Sequence, residues 1–166
     1  MTPLPAPLGS GELVFWRLDM EAFAATWEQG EGSFRVGGRW NSKGVRAVYA
    51  SLDPATAILE VAAHKTFRAL DTLPHVLTSA RITDPRTARV ITEQDVPNPN
   101  WLVPGVPSTG QQQFGDALLK TNPFVILPSA VSHHSWNIIF DVNLVKPYYD
   151  NIQQERFRLD TRLNPP

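Results

Sequence analysis

The sequence has no cysteine, which excludes disulfides, thiolate metal sites and cysteine nucleophiles and makes a reducing cytoplasm the expected compartment. It has no apolar run long enough to span a bilayer, and Met1 to Gly11 carries neither the positive charge nor the apolar stretch of a signal peptide, so no membrane association is expected. An excess of charge of one sign is also missing. Fifteen basic residues against sixteen acidic ones leave a formal net charge of −1, so direct nucleic-acid binding by this chain is not expected, and any anion must be held by a local cluster. Neither GxGxxG nor GxxxxGKS/T occurs, which removes the two Gly-rich phosphate fingerprints, and without GxSxG there is no α/β-hydrolase nucleophile elbow. The histidines, His64, His75, His133 and His134, fit no zinc spacing, so no metal is expected.

What is present suits one globular unit. The chain has 166 residues, 42% of them hydrophobic and 19% charged, enough to bury a sizeable core in a single domain. Pro3, Pro5 and Pro7 predict a flexible, extended or disordered lead-in over residues 1–12, leaving 13–166 as the folded domain. Leu13 to Leu18 reads as a first strand with Arg17 near its end, and two readings of that charge stay open: a snorkelling edge-strand arginine, or a ligand-binding arginine at a pocket mouth. Met20, Phe23, Ala24 and Trp27 predict a short helix after Asp19, followed by a glycine-rich loop or strand over Ser33 to Arg39. Asp53 and Pro54 predict the capped start of a helix running to about Leu70.

Further strands are expected at Val76–Ile82, at Thr87–Thr92 as its partner across the Asp84-Pro85 turn, at Pro123–Leu127, at Asn137–Phe140 and at Phe157–Leu159. Gln113 to Lys120 predicts a helix capped by Ser108 or Thr109, and Lys146 to Gln153 a further helical stretch. The segment from Pro97 to Gly110 is a long loop, either a lid or irregular coil around a buried Trp101. Strands outnumber helices and do not alternate with them regularly, so the fold class is α+β.

The densest chemistry lies between Gly37 and Glu60. Gly37 and Gly38 permit close backbone approach or positive φ, and the Arg39 guanidinium offers a fork suited to phosphate oxygens. Val48-Tyr49-Ala50 reads as a buried strand. Glu60 falls two turns into the helix begun at Asp53, on one face with Ala57 and His64. Taken singly, each residue has a plain alternative: Glu60 a solvated carboxylate, Tyr49 a core aromatic, Ser129 ordinary turn chemistry after Pro128.

Together, Phe15-Trp16-Arg17, Gly37-Gly38-Arg39-Trp40-Asn41, Val48-Tyr49-Ala50, Glu60 and Leu127-Pro128-Ser129-Ala130 resemble the RES domain family, the toxins of bacterial RES-Xre toxin–antitoxin pairs. The resemblance runs from about Leu13 to Leu163 and takes in Gln113-Phe114-Gly115-Asp116; Asp141-Val142 departs from the Asn-Pro that many members carry there. It implies a compact domain similar to ADP-ribosyltransferase toxins, with a mixed central sheet and short flanking helices. It implies cleavage of the nicotinamide–ribose bond of NAD, a substrate rather than a cofactor, by water or by inorganic phosphate as co-substrate. Transfer of ADP-ribose to a protein or nucleic acid is the alternative, and a non-enzymatic nucleotide-binding module a second. The implied partner is an Xre-type helix-turn-helix antitoxin that blocks the active site, and a homodimer within that complex is compatible with the pattern.

Carried over by residue, the resemblance implies Glu60, Arg17 and Ser129 as the catalytic set, with Arg17, Arg39, Tyr49, Gly38, Trp40 and Asn41 around NAD. The two arginines hold phosphates, Tyr49 packs on nicotinamide or ribose, Glu60 faces the scissile bond and Ser129 completes the pocket. The chemistry fits such a set. Nicotinamide leaves a cationic pyridinium as a neutral base, so no general acid is required, and negative charge beside C1′ stabilises an oxocarbenium-like transition state.

Overall fold

The computed structural model describes residues 11–166. The lead-in expected over residues 1–12 falls outside the described residues except for its last two, of which Glu12 forms a 2.9 Å ion pair with Arg81.

Seven strands are formed: β1 Val14–Met20, β2 Val48–Ser51, β3 His75–Ile82, β4 Ala88–Val90, β5 Phe124–Pro128, β6 Trp136–Phe140 and β7 Tyr149–Phe157. They make one sheet in the order β4-β5-β6-β2-β1-β3-β7. Every neighbouring pair is antiparallel except β4 with β5, which is parallel. Helices α1 Glu31–Val36, α2 Pro54–Thr72, α3 Thr109–Thr121 and α4 Val142–Val145 flank it. The fold is therefore the α+β class, a mixed sheet with short flanking helices, as expected. Among the described residues no helix is long and apolar enough to cross a membrane.

Strand alternation divides the core between the two faces of the sheet. Val48, Ala50, Phe124, Ile126, Ile138 and Phe140 pack with Phe15, Trp27 and Tyr149 on one face. On the other, Val125, Leu127 and Ile139 meet Trp40, Trp101 and Leu119. Beside that second cluster, Leu18 and Leu77 bury Ala62 and Leu70 of α2.

Local signals placed the long helices. The Asp53 side chain accepts the Thr56 N–H at 2.8 Å with Pro54 at the first helical position, and α2 follows. Ser108 caps α3 by accepting the Gln111 N–H at 3.2 Å. Helix α2 is broken at Thr66, whose φ of 72° and ψ of 154° lie outside helical space.

Four expectations are corrected. The stretch after Asp19 is a 3₁₀ turn over Glu21–Thr26 rather than an α-helix, and Phe23, placed on its buried stripe by periodicity, is 55% exposed. Ser33 to Val36 are not loop or strand but the end of α1, which Gly37 stops at φ 78°, while Gly37 to Arg39 are loop as expected. Strand β4 does not pair with β3, because β1 and β7 occupy both edges of β3; it joins β5 instead. Lys146 to Gln153 is not helical. A 3₁₀ turn at Lys146–Tyr148 leads into β7, which pairs with β3 over most of its length and ends at Phe157, so of the strand expected over Phe157–Leu159 only the first residue is in a strand. Its polar run looked helical because an edge strand with mostly exposed side chains shows no period-2 burial.

Candidate functional site

Helix α2, the ends of β5 and β6, and the loops before β2 and α3 enclose a cavity of about 700 Å³. Glu60, Ala63 and His64 line it from the helix, and Gly38, Arg39, Trp40 and Tyr49 from the glycine-rich segment and β2. Ala130, Val131 and Asn137 come from the β5–β6 side, and Leu102, Pro104, Gly105 and Pro107 from the long loop. Trp101 is buried at the base of that loop against Trp40, with ring centroids 5.8 Å apart, as the coil reading expected, and the residues beyond it line the cavity.

The carboxylate of Glu60 is held by one oxygen. Its Oε1 accepts from the Ser129 hydroxyl at 2.8 Å and from Asn137 Nδ2. The Ser129 proton has little other use, since Ser129 Oγ accepts the backbone N–H groups of Val131 and Ser132 at 3.3 and 3.0 Å. Asn137 is oriented in turn by Ser51, whose hydroxyl donates to Asn137 Oδ1 at 2.7 Å. Two donors converge on Oε1, and Oε2 is left without a hydrogen bond among the described residues. Glu60 thus presents one anchored oxygen and one available oxygen.

Arg39 lines the same cavity. It donates to the Trp101 carbonyl and has no carboxylate partner among the described residues, so its charge is uncompensated at the cavity wall. The segment that carries it is clamped from several sides. Gly38 has no room for a side chain: a Cβ would lie 2.5 Å from the Tyr49 hydroxyl. That hydroxyl accepts the Trp40 N–H at 2.9 Å and donates to Asn41 Oδ1 at 2.6 Å. Burial, the largest cause, pushes the Tyr49 pKa up, so the phenol stays neutral. From α3, Gln112 Nε2 donates to the Gly38 carbonyl at 2.9 Å, Gln111 Nε2 to the Arg39 carbonyl at 3.3 Å, and Asp116 accepts the Ser42 N–H at 2.9 Å.

Of the residues singled out from sequence, the structure gathers Glu60, Ser129, Arg39, Tyr49, Gly38 and Trp40 at the cavity or directly behind it. Trp40 is buried and packs chiefly on Trp101. Asn41 lies outside the lining and spends its amide on the carbonyls of Ser33, Ser42 and Val45. Arg17 also lies outside the lining. It forms a bidentate pair with Asp19 at 2.8 and 2.7 Å and donates to the Tyr49 carbonyl at 2.6 Å. Sequence reasoning missed Asn137, Ser51, Gln111 and Gln112. Only Asn137 carried a visible signal, an amide inside the apolar run of β6.

Comparison with known proteins adds three findings. The RES domain matches residues 14–160 of this chain. A Pseudomonas putida protein named Toxin Res is 31% identical over an alignment of 157 residues that covers 91% of this chain and 99% of that protein. A chain from the crystal structure of the M. tuberculosis MbcT-MbcA toxin-antitoxin complex is similar in fold, with a TM-score of 0.69 at 18% identity, covering 89% of this chain and 85% of its own.

Proposed function

The chain belongs to the RES domain family, and on that premise we propose that it is the toxin of a toxin–antitoxin pair and that it degrades NAD by breaking the nicotinamide–ribose bond. The observation that carries the reading is the pairing across one cavity of a one-point-anchored carboxylate, Glu60, with an uncompensated guanidinium, Arg39. A dinucleotide with an anionic pyrophosphate and a cationic pyridinium riboside is complementary to that arrangement. The cavity volume falls within the span of about 300–1,000 Å³ usual for small-molecule sites.

In the proposed reaction the C1′–N bond breaks and its electron pair returns to nicotinamide, which departs neutral. Glu60 Oε2 stands beside the ribosyl carbon and stabilises the positive charge that develops there, while the donors on Oε1 prevent the carboxylate from turning away. Water attacks C1′ and releases a proton to solvent, or phosphate attacks and forms the glycosyl phosphate. Arg39 neutralises the pyrophosphate, and Tyr49 contributes an aromatic wall. Ser129 and Asn137 are positioning residues, and Arg17 serves the site through Tyr49. The partner we propose is a helix-turn-helix antitoxin of the Xre type whose terminal segment closes the cavity, in keeping with a toxin–antitoxin complex as structural neighbour.

Expression of the wild-type protein without its partner should arrest growth and lower cellular NAD, whereas Glu60→Gln should do neither. Full toxicity of Glu60→Gln together with loss of toxicity in Arg39→Ala would instead favour a binding module without chemistry.

A further inference from the structure

β1 and β2 pair only at Trp16 opposite Ser51, which leaves a gap in their ladder beyond that point. The gap lies beside Tyr49, a wall of the cavity. Across it reaches Arg17, whose Nη1 donates to the Tyr49 carbonyl at 2.6 Å. Its Nε and Nη2 donate to the two oxygens of Asp19 at 2.8 and 2.7 Å. Asp19 is only 8% exposed. Arg17 and Asp19, two apart in β1, share a face, while Trp16 and Leu18 between and beside them pack toward α2, the helix that carries Glu60. The ion pair therefore leaves β1 on the face away from that helix.

From this geometry we infer that Asp19 is a positioning residue: it locks Arg17 as a brace across the gap between β1 and β2, and so fixes Tyr49 and the cavity wall. The inference deepens the NAD-cleaving reading and, for its kinetic arm, rests on it. It differs from a phosphate-binding role for Arg17 in a way that chemistry can decide. If Arg17 were a phosphate ligand, Asp19 would compete with the substrate for the same fork, and removing its charge would tighten binding. As a brace, Arg17 needs Asp19, because a guanidinium without its bidentate partner is free to turn away from the Tyr49 carbonyl. Lysine cannot substitute, since it lacks the planar fork that spans both partners.

The test uses Asp19→Asn, Arg17→Lys and their combination in the full chain, with two readouts. Hydrogen exchange of the amides over residues 48–51 should quicken about tenfold or more in each single variant, the equivalent of one charge-assisted hydrogen bond. The kcat/KM for nicotinamide release should fall about tenfold in each, with the combined variant no worse than the poorer single one. A lower KM in Asp19→Asn, wild-type exchange in β2, or faster exchange with unaltered nicotinamide release would overturn the inference. Should the wild-type protein release no nicotinamide, the functional reading falls and the exchange measurement alone decides the brace.

Discussion

Replacing Gly115 by alanine tests whether α3 sets the position of the arginine-bearing segment. A Cβ built at Gly115 lies 1.9 Å from the Trp40 carbonyl oxygen and 2.6 Å from its carbon, both backbone atoms that cannot rotate aside. Relief requires the helix and the segment to separate by about 1 Å, and overpacking of that kind costs roughly 1–3 kcal/mol. The same movement strains the Gln112–Gly38 and Asp116–Ser42 hydrogen bonds, worth about 1 kcal/mol each. Against this stands the helix preference of alanine over glycine, about 1 kcal/mol. The steric and hydrogen-bond losses win, leaving a net destabilisation of roughly 2–4 kcal/mol, or a fall in Tm of roughly 4–16 °C for a domain of this size. Thermal unfolding followed by circular dichroism measures it, and nicotinamide release should fall in parallel because Arg39 moves with Trp40. A Tm equal to or above the wild-type value would show that helix propensity dominates and that the contact does not constrain the site.

Glu60→Gln should keep the fold, since a glutamine oxygen still accepts from Ser129 and Asn137, yet lower kcat for nicotinamide release by about 10²-fold or more, as expected for loss of transition-state charge stabilisation. Arg39→Ala should raise KM about tenfold with a smaller change in kcat, the signature of a lost charge-assisted contact to bound pyrophosphate. Tyr49→Phe leaves the Trp40 N–H and Asn41 Oδ1 without their partner and should destabilise the domain by about 1–3 kcal/mol in urea unfolding. Because burial raises the Tyr49 pKa, the phenol remains protonated through neutral pH, and the activity profile of the wild-type protein should carry no ionisation removed by this substitution. Thr66→Gly should stabilise the protein by about 1 kcal/mol or more in the same assay, because φ 72° with ψ 154° is a conformation that glycine alone adopts without strain.

Features written in a few adjacent residues were legible in the sequence. Asp53-Pro54 announced α2, the Ser108-Thr109 pair announced α3, and the apolar runs of β5 and β6 read as strands because burial on both faces leaves no polar alternation to confuse. Features that depend on distant partners were not. Ser51 and Asn137 lie 86 positions apart, and nothing near either residue says that the amide of one will anchor Glu60. Gly115 looked like a flaw in a helix until the Trp40 backbone was found against it. The same holds for β7, whose polar edge gives no periodic signal, and for Arg17, whose contact with the Tyr49 carbonyl 32 positions away leaves no trace in composition. Family resemblance pointed to the cluster around Glu60, and the geometry supplied the hydrogen bonds within it.

The most direct test of the central claim is a product balance on purified protein incubated with NAD, with and without inorganic phosphate. The account predicts free nicotinamide in step with NAD loss, matched by ADP-ribose in water or by its glycosyl phosphate when phosphate is present, and almost none of either with Glu60→Gln. Intact NAD after prolonged incubation, or nicotinamide released only as ADP-ribose becomes attached to a macromolecule, would contradict it.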